Sequence, residues 1–362
     1  MTPANPTAML AELTHRCPLS CPYCSNPLEL IRRDAELSTE QWVEVFRQAG
    51  ELGVLHVHLS GGEPASRRDL EDLTEAAAEA DLYTNLITSG VGLTTKRIAE
   101  LARRGLEHVQ LSIQGPTKAI ADEIGGYAGG YERKMQVADW IAAEGLPLTV
   151  NAVMHRRNFE KLEDTIDLAV KLGARRLEVA TVQFHGWALQ NQAALMPTPR
   201  QVEAAETIID DARNRLRGAL VIDYVAADYF ARFPKACMGG WGSVGLVVTP
   251  SGAVMPCHAA DTIPHLVFEN VRDRPLSEIW EKSDAFNAYR GVDWMQEPCR
   301  SCERREIDFG GCRCQAMALA GDAAATDPAC EKSPLNEKLQ ADADAFSRGG
   351  DTLVHRAKAP AS

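Results

Sequence analysis

The ten cysteines of this 362-residue chain are not spread along it. Cys17, Cys21 and Cys24 form one group; Cys237, Cys257, Cys299, Cys302, Cys312, Cys314 and Cys330 form another. None lies from Ser25 through Ala236. In a reducing compartment structural disulfides are disfavoured, so clustered thiols read as metal ligands or redox groups. The chain must therefore fold a long cysteine-free scaffold between two thiol-bearing regions.

That scaffold has a regular texture. From Met9 to Gln183, short apolar runs alternate with amphipathic segments. The runs Met9–Leu13, Val54–Leu59, Tyr83–Thr88, His108–Ile113, Leu148–Val153 and Leu177–Val182 predict strands. The segments Thr39–Leu52, Leu70–Ala80, Thr95–Arg104, Tyr131–Glu144 and Phe159–Leu172 predict helices. Ser38 followed by Gln41 fits a capping box opening the first helix. Strands separated by helices imply an α/β fold with a parallel sheet and helices outside. Right-handed crossovers would curl the sheet into a full or partial barrel, with chemistry on the loops after the strands' C-terminal ends. A doubly wound open sheet fits the same periodicity.

Pro197 and Pro199 mark a break, followed by a helical pattern over Gln201–Arg217 and a short strand near Val221–Tyr224. From Cys237 the texture turns to glycine, cysteine and short turns, which predicts a second, metal-braced region and not a continuation of the barrel. The expected organisation is a barrel over 1–200, a connecting helix and strand over 201–236, a cysteine-rich domain over 237–335 and a polar tail over 336–362. Ala357–Ser362 should fray.

Composition excludes some partners. A net charge of −12 argues against nucleic acid, which needs a basic surface. No apolar run is long enough to span a bilayer, and Met1–Thr7 carries no basic stretch followed by an apolar one. The expectation is a cytoplasmic protein with no membrane partner.

The first cysteine group, Cys17-Pro-Leu-Ser-Cys21-Pro-Tyr-Cys24, is a C-x3-C-x2-C loop directly after the first strand. Thiolates are the usual ligands of iron–sulfur clusters. Three of them on a 4Fe–4S cluster leave one iron open to a small chelating molecule. Zinc is the alternative, with His15 as a cramped fourth ligand. The loop resembles that of the radical S-adenosylmethionine (SAM) superfamily, whose fold is a partial (β/α)6 barrel. The stretch Ser60-Gly61-Gly62-Glu63-Pro64 after the second strand agrees. In that superfamily the open iron chelates SAM, and one electron cleaves it to a 5′-deoxyadenosyl radical. The resemblance implies that Gly61, Gly62 and Glu63 meet the methionine amino group. It implies that Ser112 and Asn151 reach the cofactor's carboxylate or ribose and that Tyr23 lines the adenine site.

The second group resembles SPASM, the extension of peptide-modifying radical SAM enzymes that usually carries two auxiliary iron–sulfur clusters. Against the pattern C-x(9–15)-G-x4-C, C-x2-C-x5-C-x3-C and a last cysteine, Asp308 stands where a cysteine is expected, and Cys314 is extra. Counting ligands gives Cys237, Cys257, Cys312 and Cys314 for one cluster, and Cys299, Cys302, Asp308 and Cys330 for the other. Zinc bracing is again the alternative for either site.

The stretches Ala11–Leu30 and Asp308–Ala316, with Gly239–Gly242 and Trp294-Met295, resemble the peptide cyclases of pyrroloquinoline quinone biosynthesis. What that implies is a carbon–carbon bond between a glutamate γ-carbon and a tyrosine ring of one precursor peptide, PqqA. An auxiliary cluster would take the electron released when the ring rearomatises. The implied partners are a peptide chaperone, PqqD, and a flavodoxin-type electron donor. Two other classes stay open: a sulfatase-maturing or thioether-forming radical enzyme, and a non-enzymatic electron carrier. Asp308 and Cys314 weigh against the first, and the Glu63 loop with its six-strand barrel against the second.

Overall fold

The alternating texture becomes one sheet. In the computed structural model, which describes residues 3–226 and 228–356, the strands are β1 (Ala8–Thr14), β2 (His56–Gly61), β3 (Tyr83–Thr88), β4 (His108–Ile113), β5 (Leu148–Met154), β6 (Arg176–Thr181), β7 (Val221–Val225), β8 (Gly245–Val248) and β9 (Val254–Met255). The sheet has nine strands in the order β7-β6-β5-β4-β3-β2-β1-β8-β9. Every neighbouring pair is parallel except β8–β9. The order is linear, so the barrel is partial and stays open between β7 and β9.

Helices α1 (Thr39–Leu52), α2 (Leu70–Glu79), α3 (Thr95–Arg103), α4 (Lys118–Gly125), α5 (Gly130–Ala143) and α6 (Leu162–Lys171) cross between β1 and β6. Ser38 and Gln41 form the expected capping box on α1. One sheet face carries Val57, Leu59, Val109, Leu111, Val150, Leu177 and Val179, all buried in the main core with these helices. The other face is polar. There His58 is in register with Asn85, Asn85 with His108, Ser112 with Asn151, and Asn151 with Glu178.

Four features differ from the sequence expectation. Helix α4 was not legible, because it is short and bounded by Pro116 and Gly126. Pro199 does not break the chain but occupies the first turn of helix Pro199–Arg215, where its missing N–H is harmless. The tail contains helix Asn336–Ser347, whose Leu339 and Ala343 pack on Met196 and Tyr229. And the cysteine-rich region does continue the barrel sheet: β8 lies parallel to β1, with Met9 opposite Leu246 and Ala11 opposite Val248. All four β8 residues are buried, so the run shows no alternation. Gly245 allows the approach, since a Cβ there would lie 2.8 Å from the Ala8 carbonyl oxygen. Trp280, fully buried, adds a hydrogen bond of 3.0 Å from Nε1 to the Ala4 carbonyl. The fraying expected at Ala357–Ser362 lies outside the described residues. Among the described residues no helix is long and apolar enough to cross a membrane.

Candidate cluster and cofactor site

The loop after β1 and the loop after β2 are zipped together by backbone. Gly62 N–H donates to the Thr14 carbonyl (2.6 Å) and Glu63 N–H to the Arg16 carbonyl (2.8 Å). Glycine is required by contact. A Cβ on Gly61 would collide with the Thr14 carbonyl oxygen, and one on Gly62 would lie 2.5 Å from that of Arg16. Glu63 is fully buried and held by four donors: Thr88 Oγ1 (2.7 Å), Ala65 N–H (3.0 Å), Ser89 N–H (2.7 Å) and Ser89 Oγ (2.5 Å). A carboxylate has about four acceptor positions, and here each has a partner. Glu63 therefore braces its loop against the end of β3.

Cys17, Cys21 and Cys24 are free, partly buried thiols. Burial pushes Cys17 up to about 11, with the Glu63 charge adding to it. Burial and the neighbouring Cys24 and Cys17 push Cys21 up to about 12. Three crowded thiols that resist ionisation alone fit a cationic iron–sulfur core, which would supply the missing positive charge. His15 is engaged elsewhere: its Nδ1 accepts from Ile31 N–H at 3.2 Å.

The residues expected around SAM sit at the mouth of the same barrel. Tyr23 OH accepts from Gln114 Nε2 (3.0 Å), just past β4, and its ring lies 5.7 Å from that of His155, just past β5. Among the described residues both ring nitrogens of the buried His155 lack a hydrogen-bond partner, and burial pushes its pKa down to about 3, so the imidazole is neutral. Asn151 donates from Nδ2 to Glu178 Oε2 at 3.2 Å, and Gln110 Nε2 donates to the same oxygen at 3.0 Å. Glu178 thus holds the nitrogen end of the Asn151 amide. Ser112 stands beside it in register.

The seven later cysteines fall into two sets. The thiols of Cys237, Cys257, Cys312 and Cys314 act on one another electrostatically: Cys237 and Cys314 are each influenced by both Cys257 and Cys312. Within that group Cys257 is lowered by its neighbours Cys237 and Cys314, and Cys314 is raised by Cys257 and Cys312. The other set lines a narrow cavity: Cys299, Cys302, Asp308 and Cys330, with Arg304, Thr326 and Lys332. Cys302 Sγ accepts from Lys332 Nζ at 3.1 Å. Asp308 Oδ1 accepts from Gly310 N–H (3.1 Å) and Oδ2 from Arg304 Nε (3.2 Å). Phe309, Gly310 and Gly311 all have positive φ, and this tight run turns the chain from Asp308 to Cys312. Among the described residues, no set of three or more histidine, cysteine, aspartate or glutamate side chains converges on a single metal ion.

Sequence reasoning passed over several residues that shape these sites. Asp327 is buried between the two later sets and accepts from Cys312 N–H (2.6 Å), Gln315 Nε2 (2.8 Å) and Ala329 N–H (2.9 Å). Lys134, buried in α5, donates to the Ser89 carbonyl at 2.7 Å and faces Cys21. Its lysine-in-a-helix context gave no signal. Gln114, His155, Glu178 and Asn191 were equally silent, because each matters only through what folding places beside it.

The Radical SAM superfamily model matches residues 11–169, and the SPASM iron–sulfur cluster-binding domain model matches residues 237–303. Fold and site thus define a radical SAM enzyme with an auxiliary iron–sulfur region. Among solved structures, Streptococcus suis SuiB bound to S-adenosylmethionine aligns with a TM-score of 0.76 at 18% identity, covering 91% of this chain and 78% of that one. Native anSMEcpe with bound AdoMet aligns with a TM-score of 0.62 at 14% identity, covering 94% and 96%. These two likenesses concern the fold. The sequence relatives are nearer. The PqqA peptide cyclase of Rhizobium meliloti is 65% identical over 342 residues, 94% of this chain and 91% of the relative. That of Ruegeria pomeroyi is 62% identical over 351 residues, 97% and 94%. The chain belongs to the PqqA peptide cyclase family.

Proposed function

We propose that this enzyme joins a glutamate γ-carbon to a tyrosine ring carbon within the precursor peptide PqqA, the first step toward pyrroloquinoline quinone. The observation that carries the reading is the coexistence of the three-thiol loop braced by Glu63 with two four-ligand sets, one of which contains Asp308. Family membership supports the substrate.

Cys17, Cys21 and Cys24 would hold a 4Fe–4S cluster, and the two later sets would hold two auxiliary clusters. When bound, the first cluster with SAM supplies a hydrogen-abstracting radical, and an auxiliary cluster supplies an electron acceptor. The chain's own residues do the positioning. The Gly61–Glu63 backbone offers acceptors to the methionine ammonium. Asn151, turned by Glu178, offers an acceptor to a ribose hydroxyl, while Ser112 reaches the same region. Tyr23 and His155 wall the adenine side. The overall change removes two hydrogens from the peptide, one as an atom and one as a proton plus an electron. The peptide chaperone PqqD and a flavodoxin-type donor complete the reading, and a reducing cytoplasm suits ten free cysteines.

The test is anaerobic incubation of reduced, cluster-loaded enzyme with SAM, PqqA and PqqD, followed by peptide mass spectrometry. A loss of two hydrogens located at one glutamate and one tyrosine is expected. Deoxyadenosine without peptide change would reject the substrate, and zinc without cluster signals would reject the whole reading.

A further inference from the structure

The loop Cys17–Cys24 has no regular structure, so its backbone carbonyls need partners from elsewhere. Those of Cys17, Leu19 and Ser20 are met by a segment more than three hundred residues further along. Residues 348–356 run as a strap over the barrel mouth. Arg156 fastens its beginning, donating to the carbonyls of Ser347 (2.7 Å) and Gly350 (3.0 Å) and to Asp351 Oδ1 (2.8 Å). Asn191 grips its middle, accepting from Val354 N–H (2.6 Å) and donating to the Val354 carbonyl (2.9 Å). The same Asn191 amide donates to the Pro22 carbonyl of the cysteine loop at 3.1 Å. Leu353 packs among Tyr23 and Val153. His355 Nδ1 bonds the Ser20 carbonyl at 3.0 Å. Arg356 Nη2 donates to the carbonyls of Cys17 (2.9 Å) and Leu19 (2.7 Å).

We propose that Arg356 is a positioning residue for the first cluster: it ties the cysteine loop in place and fixes a positive charge beside Cys17. This rests on the reading that Cys17, Cys21 and Cys24 hold a 4Fe–4S cluster. The geometry carries it: the guanidinium is bound to two loop carbonyls, one of them that of a ligating cysteine. That contact holds its charge on the loop that bears the three thiols. A cation held near a cluster favours its reduced state, because reduction adds negative charge.

The test compares Arg356→Ala, Arg356→Lys and a chain ended after Gly350 with the unaltered enzyme, all reconstituted anaerobically. Redox titrations followed by electron paramagnetic resonance read the first cluster, and the auxiliary signals and iron per chain serve as internal controls. In Arg356→Ala the ratio of reduced to oxidised first cluster at fixed solution potential should fall on the order of tenfold, as losing one nearby charge predicts. The auxiliary clusters should not change, and Arg356→Lys should recover most of the ratio. Loss of the first cluster's iron alone in the shortened chain, with Arg356→Lys retaining it, counts for the same role. Unchanged first-cluster titrations in both Arg356→Ala and the shortened chain overturn the proposal. If the unaltered enzyme yields no first-cluster signal, it is the cluster reading that fails.

Discussion

At the scale of single residues, Asp308 separates this chain from an all-cysteine auxiliary region. Its carboxylate is not free to swing. Gly310 N–H and Arg304 hold one oxygen each, and the left-handed run Phe309–Gly311 fixes the backbone behind it. A carboxylate is a harder, less covalent ligand than a thiolate, so as a ligand Asp308 would make its cluster electronically distinct. Asp308→Ala is therefore expected to alter the resonance signal of one auxiliary cluster and leave the other and the first cluster unchanged. Asp308→Cys should restore a signal with a shifted potential. Three unaltered clusters in Asp308→Ala would remove Asp308 from the ligand set. Spacing alone pointed to this residue. It could not reveal Arg304 beside it, because a salt bridge four residues apart on a short helix looks like any exposed surface pair until burial is known.

At the scale of elements, the work is done where loops after strand ends touch. The β1 and β2 loops meet backbone to backbone, and Gly62 has no room for a side chain. Gly62→Ala would push the Arg16 carbonyl away and break the 2.8 Å bond from Glu63 N–H to it. Overpacking of this kind costs about 1–3 kcal/mol. We expect SAM affinity to fall about tenfold or more, with the far-ultraviolet circular dichroism unchanged; equal affinity measured by equilibrium dialysis would show that the loops adjust freely. The strands were legible because buried parallel strands are short, apolar and bounded by turn residues. Tyr83–Thr88 and His108–Ile113 have the expected bounds. The motif singled out Glu63, but its hydrogen-bond partners were not legible. A sequence cannot show that Thr88, Ser89 and Ala65 consume its acceptor positions.

At the scale of the whole molecule, barrel and cysteine-rich region share one sheet. β1 lies between β2 and β8, so neither half can unfold without exposing the other's hydrogen-bonding edge. Trp280 and Phe286 of the later region belong to the same core cluster as Met9, Trp42 and Phe46. Denaturation of the loaded enzyme should accordingly follow a single transition by tryptophan fluorescence and by cluster absorbance alike. Two resolved transitions would mean that the halves are energetically independent. The four-residue run Gly245–Val248 carried too little sequence signal to anticipate this, since four apolar residues suit a turn, a core helix or a strand equally well.

The pairing of β1 with β8 also has a consequence for how the protein is made. A ribosome releases β1 long before β8 exists; at roughly 5–20 residues per second the delay is on the order of tens of seconds. Throughout that time one hydrogen-bonding edge of β1 has no partner and is open to other nascent chains. Slower translation or high expression lengthens or crowds that interval. Yield of soluble protein should therefore depend on the speed of synthesis between residues 15 and 245, quite apart from the supply of iron.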